Sequence, residues 1–405
     1  LLWSIPVVAQ QRVLLTLAEA EGLAIADEPG RAALLARAAS LEEQAVAAGQ
    51  LPDPTMRIGL ANYPIDGGGF STEGMTQAQL GFRQAFPRSR SHEAAAKQAQ
   101  ASAFAQHADA RDRDVLTAVR KAWLDVYYAQ QASALVNESR PFFSDLVTIT
   151  RSLYAVGRKS QHDVLRAELE LSRLDDRLIE TNRARAEAQA ALSRWLGRDA
   201  YRPIAMKLPA WSVLPPLADL HNGLAAHPML AAAEANVTAK QAGVQVAEDN
   251  KKPGWALDLG YGYREGFLPN GEPRSDFVSL SVTVELPFFS KNRQDRKLVA
   301  ALSERRAAEN SQTELRMRLA SELDTEYARW ADLSRRLALY ESRILDQSSG
   351  QAQAALLAYQ SDAGDFADVM RAYIDDLNTR LEHIRLQVQR AQSYAVLASL
   401  GGLES

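Results

Sequence analysis

The 405-residue chain contains no cysteine. Disulfide frameworks, thiolate metal sites, thiol nucleophiles and a lipidated N-terminal cysteine are therefore excluded for the sequence as it stands, and cysteine usage gives no reading of the redox compartment. Long apolar runs are missing too. The best stretch, Leu1 to Leu17, is broken by Pro6, Gln10, Gln11 and Arg12, short of the ~20 apolar residues a membrane-spanning helix needs. Leu1 to Ala9 reads equally well as the end of a signal-peptide apolar region or as a partly buried N-terminal segment. Charge of one sign is not in excess: 46 basic against 50 acidic side chains leave a formal charge of −4, which argues against a nucleic-acid reader.

Enzyme signatures are absent as well. There is no GxSxG, Walker loop or HExxH, and the Gly67-Gly68-Gly69 run precedes no strand-to-helix phosphate site. The six histidines (His92, His107, His162, His221, His227, His383) show no paired ligand spacing on a helix face. No catalytic residue, metal site or cofactor is expected.

Aromatics make up only 7% of the chain. Ala, Leu, Glu, Arg and Gln dominate, the composition of long helices, and the chain repeats itself. Leu80, Phe86-Pro87 and Tyr127 recur as Leu280, Leu286-Pro287 and Tyr327. Glu138-Ser139-Arg140 returns as Glu341-Ser342-Arg343, and Leu196-Gly197 as Leu400-Gly401. Tyr154, Asp163, Val164, Arg166 and Ala167 recur as Tyr359, Asp368, Val369, Arg371 and Ala372. A colinear series of this kind points to tandem duplication of one structural unit.

The expected organisation is an N-terminal segment (1–30), a first repeat (31–202), a linker (203–221) and a second repeat (222–402). The first repeat reads as a hairpin at 54–87, a long helix at 91–155 and a helix at 160–197. The second reads as a hairpin at 253–287, a long helix at 291–359 and a helix at 365–400. Between Ser91 and Ala155 there is one proline, Pro141, and no glycine, so that helix can run ~97 Å with a kink. Leu315, Leu319, Leu323, Tyr327, Trp330, Leu333 and Leu337 form an apolar seam that needs helix partners.

The two hairpins carry the decisive pattern. Trp255, Leu257, Leu259, Tyr261 and Tyr263 alternate with small or polar residues, and Val278, Leu280, Val282, Val284 and Leu286 do the same. The first hairpin is a weaker copy, with Met56, Ile58, Leu60, Leu80 and Phe82 on the apolar side. A period of two over ~9–11 residues suffices to cross a membrane at a tilt. Trp255, Tyr261, Tyr263, Phe267 and Phe277 are candidates for interfacial girdles. Four strands cannot close a barrel in lipid, because each unpaired backbone group there costs several kcal/mol. Three copies supply twelve strands, with Gln77, Gln79, Arg83, Asp258, Ser281 and Glu285 facing a wet lumen.

These residues resemble the TolC-like outer-membrane factors, the trimeric channels of tripartite efflux and secretion systems. The resemblance rests on the duplicated plan and on Tyr154-x-x-Gly157-x-x-x-x-x-Asp163-Val164-Leu165 with its echo from Tyr359 to Asp368-Val369-Met370. Leu51-Pro52-Asp53-Pro54, Asn62-Tyr63-Pro64 and Gln84-Ala85-Phe86-Pro87-Arg88 look most like the branch that works with heavy-metal exporters of the resistance-nodulation-division class. The resemblance implies a mainly α fold with a small transmembrane β part. In it, a homotrimer forms a 12-stranded β-barrel continuous with a periplasmic α-helical barrel, set in outer-membrane lipid. It also implies a periplasmic adaptor protein and an inner-membrane pump as partners.

By that resemblance two turns form the periplasmic tip. Tyr154, Val156, Gly157, Arg158, Ser160, Asp163, Ala363 and Gly364 are the expected adaptor-contacting residues, and Tyr359, Asp362, Asp365, Asp368 and Arg371 the expected gate. Ser160 and Asp163 have the spacing of a capping box, so the first-turn aspartates Asp163 and Asp368 also read as ordinary helix-start charge. Family members often carry a second aspartate where Arg166 and Arg371 stand here. The expected substitute is a salt-bridged closed state built from Asp362, Asp365, Asp368 and Arg371. Rival readings are a multidrug or type I secretion channel of the same fold, and a soluble coiled-coil adaptor or scaffold whose hairpins pack on helices.

Overall fold

The computed structural model describes residues 14–403; Leu1 to Ala9 lies outside the described residues. Nine α-helices and four strands are found among the described residues: α1 Leu17–Ala26, α2 Pro29–Gly49, β1 Thr55–Ala61, β2 Gln77–Phe86, α3 Arg90–Ala155, α4 Gln161–Leu196, α5 Leu217–Ala225, α6 Pro228–Asp249, β3 Gly254–Tyr263, β4 Phe277–Glu285, α7 Gln294–Leu339, α8 Leu345–Gln360 and α9 Phe366–Gly401. The series helix, hairpin, very long helix, shorter helix occurs twice. No described helix is long and apolar enough to cross a membrane.

Helix α3 holds 66 residues and keeps Pro141 in its interior. The missing N–H there removes one backbone bond, and buried Val136, Phe143 and Leu146 anchor the helix on both sides of it. The second long helix departs from the expected unbroken 291–359. A π turn at Tyr340–Ile344 separates α7 from α8. Its physical role is visible in the seam: Leu337 and Ala352 are both buried, and their spacing is one residue more than two heptads. The wider turn absorbs the extra residue and keeps the apolar side in phase. Leu319, Leu323, Leu333 and Leu337 of the seam are buried, while Leu315, Tyr327 and Trp330 are half-buried.

The chain folds as two compact units. The first takes the residues up to Ala32, Asp109–His227 and Arg316 onward. One of its cores gathers Leu15, Val119, Trp123, Leu124, Leu192, Leu196 and Ile204. Leu15 is tied to the inter-repeat segment by Leu15 N–H to Pro203 O at 2.8 Å and Ala205 N–H to Leu15 O at 3.1 Å. A second core gathers Phe143, Leu146, Leu174, Tyr359, Phe366, Val369 and Met370, within α3, α4, α8 and α9.

The second unit takes Ala33–Ala108 and Pro228–Leu315. It contains one antiparallel sheet in the order β1-β2-β3-β4. The two hairpins, far apart in sequence, pair through β2 and β3, with Phe82 opposite Leu259 and Arg83 opposite Asp258. Residues directly opposite share a face, so each alternating pattern adds to its neighbour's, and the sheet has one apolar and one polar side.

Candidate functional site: a two-faced sheet and two capped turns

On the apolar side lie Met56, Ile58 and Leu60 of β1, Leu80 and Phe82 of β2, Trp255, Leu257, Leu259, Tyr261 and Tyr263 of β3, and Val278, Leu280, Val282 and Val284 of β4. All of them are exposed. One row across the sheet reads Met56, Phe82, Leu259, Leu280, and Phe86 stacks on Trp255 at 4.0 Å between ring centres. An exposed apolar patch of this extent marks an interaction surface. Strands β1 and β4 each have a neighbour on one side only, and all nine residues of β4 are exposed.

The polar side holds every residue expected to face a lumen. Asp258 stands between Arg83 and Ser281 in the pairing register. Arg83 reaches it at 3.8 Å, and the Thr283 hydroxyl donates to it at 2.9 Å. Glu285 is held by Arg88 at 2.8 Å. Gln77 and Gln79 face the same way across from Ala61 and Gly59. The glycines of β3 leave room for these side chains: a Cβ on Gly262 would lie 2.0 Å from the Gln77 amide oxygen, and one on Gly260 2.5 Å from the Ser279 hydroxyl. Two polar-side residues escaped the sequence reading. Arg57, between Met56 and Ile58, belongs to this face by simple alternation. Phe277 sits opposite Gly262, beneath the Arg264 guanidinium at 3.8 Å, and is thus on the polar side rather than in the expected girdle.

The α3–α4 turn has Tyr154 and Val156 exposed, with Gly157 at a φ of 73°. That conformation lets Gly157 N–H reach Tyr154 O and Arg158 N–H reach Leu153 O, both at 2.9 Å, satisfying the last carbonyls of α3. Ser160 caps α4: its hydroxyl accepts from Asp163 N–H at 3.4 Å, and the Asp163 carboxylate accepts from Ser160 N–H at 3.3 Å. In the α8–α9 turn, Asp362 adopts a φ of 61°, and Ala363 N–H closes back on Ala358 O at 2.9 Å. A Cβ on Gly364 would stand 3.0 Å from the Ala358 Cβ, so the turn is tight. Asp365 occupies the cap position of α9 without a side-chain bond.

The four expected gate charges do not form one cluster within the chain. Arg371 pairs with Asp368 on its own helix at 3.3 Å. Asp362 is held instead by Lys159 of the other turn, at 2.9 Å, which keeps its carboxyl below the usual carboxylate range. Lys159 also lies 4.7 Å from the ring centre of Tyr359, a favourable placement for a cation. Tyr359 is not displayed at the surface: it is 2% exposed, edge-on to Phe366 at 5.4 Å. Burial, with Asp163 and Asp362 nearby, pushes its phenol up to about 12. Lys159 had no periodic signal, because it is set by how the two turns meet. Among the described residues no group of three or more His, Asp or Glu side chains is placed to hold a metal ion.

Among the described residues this combination of duplicated helices, one four-stranded sheet with bare edges and paired helical turns is the fold of solved outer-membrane channels. It superposes on the outer-membrane channel OprN with a TM-score of 0.81 and 18% identity, over 96% of this chain and 90% of that one. It superposes on CusC with a TM-score of 0.81 and 15% identity, over 96% and 92%. Protein CyaE of Bordetella pertussis is 28% identical over 329 residues, 76% of this chain and 66% of that protein. The chain thus spans just under two thirds of that relative's length. Residues 220–403 match the model of the outer membrane efflux protein family.

Proposed function

We propose that the chain is one subunit of a homotrimeric outer-membrane conduit, a passive channel of a tripartite efflux system that exports heavy-metal cations from the periplasm. The observation that carries the reading is the sheet. Among the described residues its apolar side has no protein cover and its two outer strands lack partners, and the opposite side is polar. Three such sheets joined β4 to β1 around an axis pair every edge and give lipid an apolar wall and water a polar one. In this reading Gln77, Gln79, Arg83, Asp258, Ser281 and Glu285 line the barrel. The α3–α4 and α8–α9 turns form the periplasmic end that meets the adaptor and the inner-membrane pump of the resistance-nodulation-division class. Threefold repetition turns Asp368 and Arg371 into a ring of charges at the entrance, while Lys159 and Asp362 tie the two turns of each subunit.

The cargo assignment is supported by the sequence around Pro52-Asp53-Pro54, Tyr63-Pro64 and Phe86-Pro87-Arg88. Deletion of the gene should sensitise the host to zinc, cobalt, cadmium or copper, and the intact gene should restore resistance. Sensitivity limited to dyes and detergents, or loss of a secreted protein with metal resistance intact, would move the cargo to drugs or polypeptides while leaving the conduit in place.

A further inference from the structure

We propose that the segment joining β4 to α7 binds the headgroups of anionic phospholipids. The proposal rests on the reading of the apolar sheet face as lipid-facing and adds which lipid that surface selects. Phe288 and Phe289 directly follow the apolar column Val282, Val284, Leu286, and at 76% and 86% exposure they are the most exposed aromatics among the described residues. Two consecutive bare rings at the end of an apolar wall fit the interfacial zone of a bilayer.

Immediately beyond them come Lys291, Arg293, Arg296 and Lys297, all exposed. Other cations nearby are already held: Lys251 by Asp295 at 2.8 Å, Lys252 by Asp249 at 2.6 Å and Arg88 by Glu285 at 2.8 Å. The four that follow the phenylalanines have no carboxylate partner among the described residues. Arg296 and Lys297 stand in the first turn of α7, where the helix dipole disfavours a cation. The acid of that turn, Asp295, is committed to Lys251 and to the Ser290 hydroxyl at 2.9 Å. From Leu286 to Lys297 four cations face one anion, a net of +3, in a chain whose net charge is −4. That local excess calls for an anion from outside the chain.

A phospholipid satisfies both halves of the segment: acyl chains against Phe288 and Phe289, and a phosphodiester against the ammonium and guanidinium groups. A zwitterionic headgroup carries its own ammonium and gains less, so phosphatidylglycerol is favoured over phosphatidylcholine.

The test is native mass spectrometry of the detergent-purified trimer with equimolar dioleoylphosphatidylglycerol and dioleoylphosphatidylcholine. The wild type should retain the anionic lipid with a preference of about tenfold or more. K291Q/R293Q/R296Q should bring the ratio to parity with the trimer and its channel conductance intact, and F288S/F289S should lower retention of both lipids. Equal retention by the wild type, or an unchanged preference in the triple variant, overturns the site. Displacement of the bound lipid by millimolar inorganic phosphate would make it a phosphate site and overturn the lipid assignment. Failure of the wild type to insert into vesicles of either lipid would count against the lipid-facing sheet itself, whereas insertion without preference counts against the headgroup site alone.

Discussion

Leu280 offers the sharpest discrimination between a sheet wetted by lipid and one wetted by water. It is the fourth residue of nine in β4, in the row that includes Leu259, Phe82 and Met56, and is 70% exposed in the single chain. In water, Leu280→Arg at so exposed a site changes stability by no more than about 0.5 kcal/mol. At the middle of a bilayer the same change costs about 2–4 kcal/mol per chain, which three symmetric copies multiply to roughly 6–12 kcal/mol per trimer. Ser279→Arg is the internal control, one position along and on the polar side, with an expected cost near zero. Denaturant unfolding in phospholipid vesicles, followed by Trp255 fluorescence, reads the difference, and trimer survival on a cold detergent gel provides a second readout. Equal stability of the Leu280→Arg and Ser279→Arg proteins would refute the assignment of that face to lipid.

Two further tests concern the helical unit. Lys159→Ala removes both the contact with Asp362 and the cation over the Tyr359 ring, so the stability loss should stay within about 1 kcal/mol, while single-channel conductance in planar bilayers rises; a parallel rise is expected for Asp368→Ala with Arg371→Ala, and unchanged conductance in both would detach these residues from gating. His227 is buried, and burial, with Arg113 nearby, lowers its imidazole to about 4 from an ordinary 6.5. The native state therefore holds it neutral while the unfolded state takes up a proton, so its contribution is full above about pH 6.5 and is lost as pH falls through about 4. His227→Asn should flatten the fall of the melting temperature over that window, and an unaltered pH profile would remove His227 as its source.

How much of this was legible in the sequence differs by element. The strands were readable because a period of two with Pro54, Pro87, Pro253 and Pro287 at the ends leaves few alternatives; the pairing of the two hairpins through β2 and β3 was not, because the repeat alone does not say which edges meet within one chain. The Ser160 and Asp163 cap was readable from a three-residue spacing. The π turn at Tyr340–Ile344 was not: its only trace is one residue too many between two buried positions, which no local propensity encodes. The Lys159 contact with Asp362 escaped for a related reason. It joins residues about two hundred positions apart through the packing of two turns, and neither residue type nor neighbour announces it. Tyr359 was read as a gate residue from its place in the repeated motif, but its burial was not legible, because it depends on packing under Lys159 and against Phe366.

The bare flanks of the sheet have a bearing on biogenesis. A newly exported copy holds, on β4 alone, a nine-residue strand whose outer hydrogen-bonding row is an open template for any extended polypeptide. Under the proposed trimer its stability depends on subunit concentration. In the proposed trimer, assembly at low copy number becomes a slow search for two siblings, during which the unpaired strand is most open to proteolysis and misassociation.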